Sequence, residues 1–101
     1  MKHFILFYDY VPDYLERRTP FRAAHFAHAR AAEARGELFL AGACTDAGTP
    51  LAVIVFKSES RATVEAFAEG DPYVQNGLVT RWHVREWTTV LGRDALTPVT
   101  L

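Results

Sequence analysis

Hydrophobic positions along the chain alternate between strand-like and helix-like spacing. Four segments rich in branched and aromatic residues predict strands, at residues 3–10, 37–43, 51–56 and 80–91. Residues 20–35 are rich in alanine, and Val64, Phe67 and Ala68 recur at helical spacing, so two helices are expected between the strands. The resulting order β-α-β-β-α-β predicts an α+β fold of the ferredoxin-like type, with both helices on one face of a four-stranded sheet.

Residues with special backbone preferences mark the ends of these elements. Thr19 is expected to cap the first helix with Pro20 at its first position, and Gly36 to end it in the left-handed conformation. Ser60 is expected to cap the second helix and Gly70 to end it. Connecting segments are predicted at residues 11–18, 45–50 and 71–77, the last as a loop or short helical turn, followed by a tail at residues 92–101.

The strands are apolar on both faces, which is unusual for a sheet with one face in water. The first strand places Phe4, Leu6, Tyr8 and Tyr10 on one face, with Ile5 and Phe7 on the other. The third strand is apolar throughout. The fourth places Trp82, Val84 and Val90 on one face and Trp87 and Leu91 on the other. Since burying such side chains is worth about 1.5–3 kcal/mol each, the pattern predicts a homodimer joined through its sheets.

Composition narrows the class of protein. The chain has 101 residues, the size of a single domain, with an expected core at about residues 3–91. A net charge of −1 and a pI of about 6.4 argue against nucleic acid or an acidic membrane as partner. Cys44 is the only cysteine, so no disulfide can form within the chain and a reducing cytoplasm is expected. The apolar run before Asp9 is too short for a signal peptide or a membrane span.

Two residues stand out as candidates for acid–base chemistry. His25 lies in the first helix, on one stripe with Phe21, His28 and Ala32, and a histidine facing a pocket can act as a general base. Asp71 follows the second helix and could face His25, fixing its tautomer and raising its basicity. Each has a plainer interpretation, as a structural histidine and as a helix cap.

Other residue types suggest substrate contacts rather than further catalysis. Arg22 could pair with an acidic group of a substrate, and Tyr8 and Tyr73 could line an aromatic pocket, although surface and core roles are the simpler readings. His25 and His28 have the spacing of a metal pair, but no carboxylate or cysteine completes a site, so no metal is expected. Nucleotide-binding loops and nucleophile elbows are lacking, and no cofactor is expected.

Several of these residues together resemble the YciI family of small dimeric α+β-barrel proteins. The resemblance rests on Arg22-Ala-Ala-His25-Phe, Gly36-Glu-Leu38, Ala41-Gly42, Asp71-Pro72-Tyr73-Val74 and Gly77-Leu78, and it spans about residues 3–91. It implies a ferredoxin-like protomer, a dimer joined through its sheets, and a pocket containing a histidine–aspartate pair, here His25 and Asp71. Some members look like lyases or dehydrochlorinases acting on hydroxylated aromatic compounds.

The expected function is therefore a cofactor-free acid–base enzyme for a small aromatic or carboxylated molecule. His25 would take the proton, Asp71 would orient His25, and Arg22, Tyr73 and Tyr8 would help bind the substrate. A non-catalytic module that senses a metabolite is the alternative. RNA binding is a further reading from the strand order, but residues 51–56 lack the basic and aromatic motif it needs. Haem or oxygenase chemistry rests on fold analogy alone.

Overall fold

A computed structural model describes residues 1–101. The strands are β1 (Lys2–Tyr10), β2 (Leu38–Cys44), β3 (Leu51–Ser58) and β4 (Val79–Trp87). The helices are α1 (Tyr14–Arg17), α2 (Arg22–Ala34), α3 (Arg61–Gly70) and α4 (Pro72–Gln75), with a 3-10 turn at Thr19–Phe21. None of the helices has the length and apolar character needed to cross a membrane.

The four strands form one antiparallel sheet in the order β2-β3-β1-β4. This is the strand order of the ferredoxin-like fold, so the predicted α+β class is confirmed. Side chains from alternate positions of β1 point to the helices and are almost fully buried, namely Phe4, Leu6, Tyr8 and Tyr10. Val64, Phe67 and Ala68 of α3 pack against them, as the helical spacing predicted.

The other face of the sheet carries no helix, and we call it the open face. Opposite residues in antiparallel strands point the same way, so Phe7 of β1 shares this face with Val53 of β3 and His83 of β4. Its apolar part lies over β2 and β3, where Leu40 is 64% exposed and Val55 is buried among its neighbours.

The ends of the helices confirm some expectations and correct others. Gly36 has φ +79° and ends α2, and the Ser60 hydroxyl accepts a hydrogen bond from the backbone N–H of Ala62, as expected. The expected cap at Thr19 is wrong, because residues 19–21 form a separate 3-10 turn and α2 begins at Arg22 without a side-chain cap. The connection at residues 11–18 also contains the short helix α1, whose Tyr14 is buried against the core.

The last strand is shorter than the predicted segment of residues 80–91. β4 ends at Trp87, whose pairing with His3 is the last between β4 and β1. The chain then turns, and the tail folds back on itself through hydrogen bonds from the backbone N–H of Thr97 to the Thr89 carbonyl and of Val99 to the Val90 carbonyl. The prediction that Val90 and Leu91 belong to the sheet is therefore wrong.

Candidate active site

A buried carboxylate lies at the junction between α3 and α4. Asp71 leaves α3 in an extended conformation (φ −76°, ψ 123°) and begins α4, where its Oδ1 accepts a hydrogen bond from the Tyr73 N–H at 3.0 Å. Pro72 occupies the first helical position, where a missing N–H is tolerated. The Asp-Pro-Tyr sequence thus forms a helix start, and it fixes the direction of the carboxylate.

Two further donors complete the environment of this carboxylate. Nδ1 of His25 lies 2.8 Å from Oδ1, and the Tyr8 hydroxyl donates to Oδ2 at 2.7 Å. The side chain of Asp71 is 0% exposed and that of His25 is 13% exposed. Because the Asp71 carboxylate accepts all three of these hydrogen bonds, the proton between Asp71 and His25 is assigned to Nδ1 of His25.

This tautomer leaves the second ring nitrogen of His25 available for chemistry. In the neutral ring Nε2 then carries a lone pair, and it has neither a hydrogen-bond partner within the chain nor complete burial. The ring stacks on Tyr73, with centroids 3.8 Å apart and planes 3° from parallel, so its orientation is fixed by packing as well as by Asp71. Nε2 of such a histidine can accept a proton from a bound molecule.

His25 forms part of the wall of a cavity between α2 and the sheet. The cavity has a volume of about 240 Å³ and is mainly apolar. Its floor is made by small and branched residues of β2 and β3, namely Ala41, Gly42, Ala43, Ala52 and Ile54. The only charged residues lining it are Arg18 and Arg22. An apolar cavity with a histidine and two cations fits a small molecule carrying negative charge.

The tyrosines near Asp71 are held in their neutral form. Burial raises the pKa of Tyr8 well above its ordinary value, and the negative charge of Asp71 adds to this. Burial also raises the pKa of Tyr73 to about 12, against the opposing effect of Arg18 and Arg22. Tyr8 therefore remains a donor to Asp71 across the neutral pH range.

The structure thus brings together His25, Asp71, Tyr8 and Tyr73, and it places Arg22 at the cavity. Tyr8 and Tyr73 are only 0% and 1% exposed and lie behind the histidine rather than on the cavity wall. The sequence reasoning did not single out Arg18, whose guanidinium lies 5.4 Å above the Tyr14 ring at the same cavity. No periodic pattern marks it, because α1 and the following turn were expected to be an irregular connection.

A second cavity, of about 360 Å³, lies between the N-terminal end of β1, the end of β4 and the tail. His3 lines it, and its Nδ1 lies 2.9 Å from the Thr89 hydroxyl oxygen. Burial lowers the pKa of His3, and the nearby positive charge of Lys57 lowers it further. Asp94 lines the same cavity and opposes this lowering, but it forms no salt bridge with His3, so the hydrogen-bonded histidine–carboxylate pair is found at the first cavity.

The fold and the histidine–carboxylate pair define a small α+β protein of the ferredoxin-like type with a site on the helix side of its sheet. The chain belongs to the YCII-related domain family, which matches residues 1–88, and the predicted family is confirmed. A comparison with curated proteins found no match.

A solved structure with the same fold is 5-chloro-2-hydroxyhydroquinone dehydrochlorinase from Burkholderia phenoliruptrix, in complex with 2,5-dihydroxybenzoquinone. The two chains share 24% sequence identity with a TM-score of 0.74, over 86% of this chain and 94% of the dehydrochlorinase.

Proposed function

We propose that the chain is an acid–base enzyme that needs no cofactor and acts on a small hydroxylated aromatic or carboxylated molecule. The observation that carries the proposal is the hydrogen bond of 2.8 Å between His25 and Asp71, at the wall of a cavity whose only charges are two arginines. The similar dehydrochlorinase, which acts on a hydroxylated ring, supports this choice of substrate class.

Each residue has a defined part in the proposed reaction. Nε2 of His25 takes a proton from the substrate, and the Asp71 carboxylate stabilises the resulting imidazolium. Arg22 and Arg18 bind the negative charge that develops on the substrate oxygen. The proton then returns to another atom in an isomerisation, or an anion leaves in an elimination. Tyr8, which is buried behind Asp71, holds the carboxylate instead of touching the substrate.

The test is turnover of a panel of chlorinated and unchlorinated hydroquinones and aromatic carboxylates, followed by absorbance and by release of chloride. His25→Gln should reduce kcat about 100-fold or more, since general bases contribute about 10²–10⁴-fold. The control is Arg30→Gln, at an exposed residue of the same helix that does not line the cavity. Full turnover by the His25→Gln variant would refute the proposal, and binding without turnover by the wild type would favour the non-catalytic sensor.

The cations can be tested separately from the base. Arg22→Gln should raise KM for an anionic substrate more than it lowers kcat, because the arginine binds charge but transfers no proton. Arg30→Gln on the same helix is the control, because Arg30 does not line the cavity. An equal response of neutral and anionic substrates to Arg22→Gln would contradict the assignment.

We further propose that the chain forms a homodimer through the open face of its sheet. The support is the apolar surface over β2 and β3, with Leu40 64% exposed, since large apolar patches on a protein surface often mark interaction sites. Leu40→Asp should therefore shift the mass measured by light scattering to that of a monomer. Leu15→Asp, at a residue 50% exposed on α1, should leave the mass unchanged. A wild type with the mass of one chain would refute the proposal.

A further inference from the structure

His28 lies three residues after His25 on the same face of α2, and it also reaches across to α3. Its Nε2 lies 2.8 Å from the carbonyl oxygen of Phe67, and its ring stacks on the Phe67 ring with centroids 4.5 Å apart. A carbonyl can only accept, so Nε2 of His28 carries the proton. His25 therefore binds Asp71 through Nδ1, whereas His28 binds Phe67, four residues earlier, through Nε2.

The carbonyl of Phe67 needs this donor because α3 ends abruptly. In a continuing helix it would accept from the backbone N–H of Asp71, but that N–H bonds the Ala68 carbonyl at 3.2 Å. The extended conformation of Asp71 then carries the chain out of the helix. His28 thus supplies a side-chain cap to the last turn before the carboxylate.

The absence of a side chain at Gly70, between Phe67 and Asp71, makes room for the contact of His28 with Phe67. It is the last residue of α3, as predicted, but its φ is not positive, so no left-handed conformation explains the glycine. A Cβ placed on Gly70 would lie 2.9 Å from Cε1 of His28 and 3.4 Å from Nε2, so the ring occupies the space where a side chain would be. The absent Cβ allows α2 to approach α3 closely at this turn.

We propose that His28 is a positioning residue for the His25–Asp71 pair, a role that rests on the proposed function of that pair. By holding the last turn of α3 against α2, it sets the position from which Asp71 meets Nδ1 of His25. Because both histidines project from one helix, a shift of α3 relative to α2 would disturb both contacts together.

The test compares His28→Gln with His28→Met. The glutamine amide can reach the Phe67 carbonyl and donate, whereas methionine has similar length but no donor. NMR of the His25 ring reports the proton on Nδ1 without any substrate. This signal should persist in His28→Gln and be lost or broadened by exchange in His28→Met. With a substrate, His28→Met should lower kcat about tenfold to 100-fold and change KM little, since misplaced catalytic groups lose rate.

Gly70→Ala tests the same contact from the other side. The new methyl group should displace the His28 ring and reproduce the loss of the His25 signal, and it should have little further effect in the His28→Met background. If His28→Met does not fold, the His25 signal of Gly70→Ala is compared with that of His28→Gln. Loss of the signal in Gly70→Ala alone would support the positioning role of His28.

The two proposals fail in different ways. An unchanged His25 signal and unchanged kcat in His28→Met or Gly70→Ala would overturn the positioning role, with His25 still free to act as the base. Turnover that survives His25→Gln would refute the proposed function. Loss of the His25 signal in His28→Met would, in that case, still show that His28 holds the pair.

Discussion

The hydroxyl of Tyr8 offers a test of the buried network that needs no substrate. It is fully buried and donates to Asp71 Oδ2 at 2.7 Å. Tyr8→Phe removes the donor and leaves a buried negative charge with one bond fewer. A hydrogen bond to a charged group contributes about 1.5–3 kcal/mol, so the variant should lose that much free energy of unfolding at pH 8. In a domain of this size the melting temperature should fall by about 6 °C or more.

The loss should shrink at alkaline pH, as expected for a buried tyrosine whose hydroxyl stays protonated in the folded protein. Burial and Asp71 raise the pKa of Tyr8 above its ordinary value of 10.0, so the folded protein retains a proton that the unfolded chain releases. The stability from this neutral hydroxyl is therefore fully present below pH 10 and is lost above it, by about 1.4 kcal/mol per pH unit. At pH 11 the difference between wild type and Tyr8→Phe should be smaller by about 1.4 kcal/mol.

Urea unfolding followed by tryptophan fluorescence at pH 8 and pH 11 measures both quantities. Tyr10→Phe is the matched control, because burial also raises the pKa of Tyr10 but its hydroxyl makes no bond to Asp71. It should show the same dependence on pH with a smaller loss at pH 8. A Tyr8→Phe penalty that is equal at the two pH values, or smaller than that of Tyr10→Phe at pH 8, would refute the reasoning.

Chemical denaturation can test three further features of the fold. Gly36→Ala should cost about 1–2 kcal/mol because φ is +79°, whereas Gly42→Ala, with no positive φ and no atom near its Cβ, should cost less than half as much. Ser60→Ala should cost about 0.5–2 kcal/mol through loss of the α3 cap, and Ser60→Asp should restore most of it. Leu78→Ala should cost about 2–5 kcal/mol at a fully buried position, and a smaller loss would mean that the core closes around the gap.

The sequence was sufficient for the order of the elements because hydrophobic periodicity determines which face of each element is buried. It was insufficient where an element depends on its neighbours. β4 ends where its pairing with β1 ends, at Trp87, and the cap expected at Thr19 was replaced by a 3-10 turn. Gly70 is a residue type that often ends helices, but here a glycine is needed because the ring of His28, from another helix, occupies the space of a side chain.

In the candidate site, too, local roles could be predicted from the sequence, whereas contacts between distant elements could not. The local role of Asp71 as a helix cap could be inferred from the proline that follows it, and the pairing with His25 was suggested by family resemblance. The bond from Tyr8 could not be inferred, because Tyr8 lies on a strand 63 residues away and looks like any other core position in the alternating pattern. Contacts of this kind depend on the packing of β1 against the α3–α4 junction.

The small residues on the cavity floor can change the size of the cavity independently of the His25–Asp71 pair. His25 belongs to α2 and Asp71 lies at the junction of α3 and α4, whereas Ala41, Gly42 and Ala43 belong to β2, an edge strand of the sheet. Ala41 and Ala43 lie opposite Ile54 and Ala52 on the helix side of the sheet, so a larger side chain at either position would reduce the space in the cavity without touching the hydrogen bonds of Asp71. Divergence within such a lineage, or redesign in the laboratory, can therefore change the size of the cavity through one strand while conserving the His25–Asp71 pair.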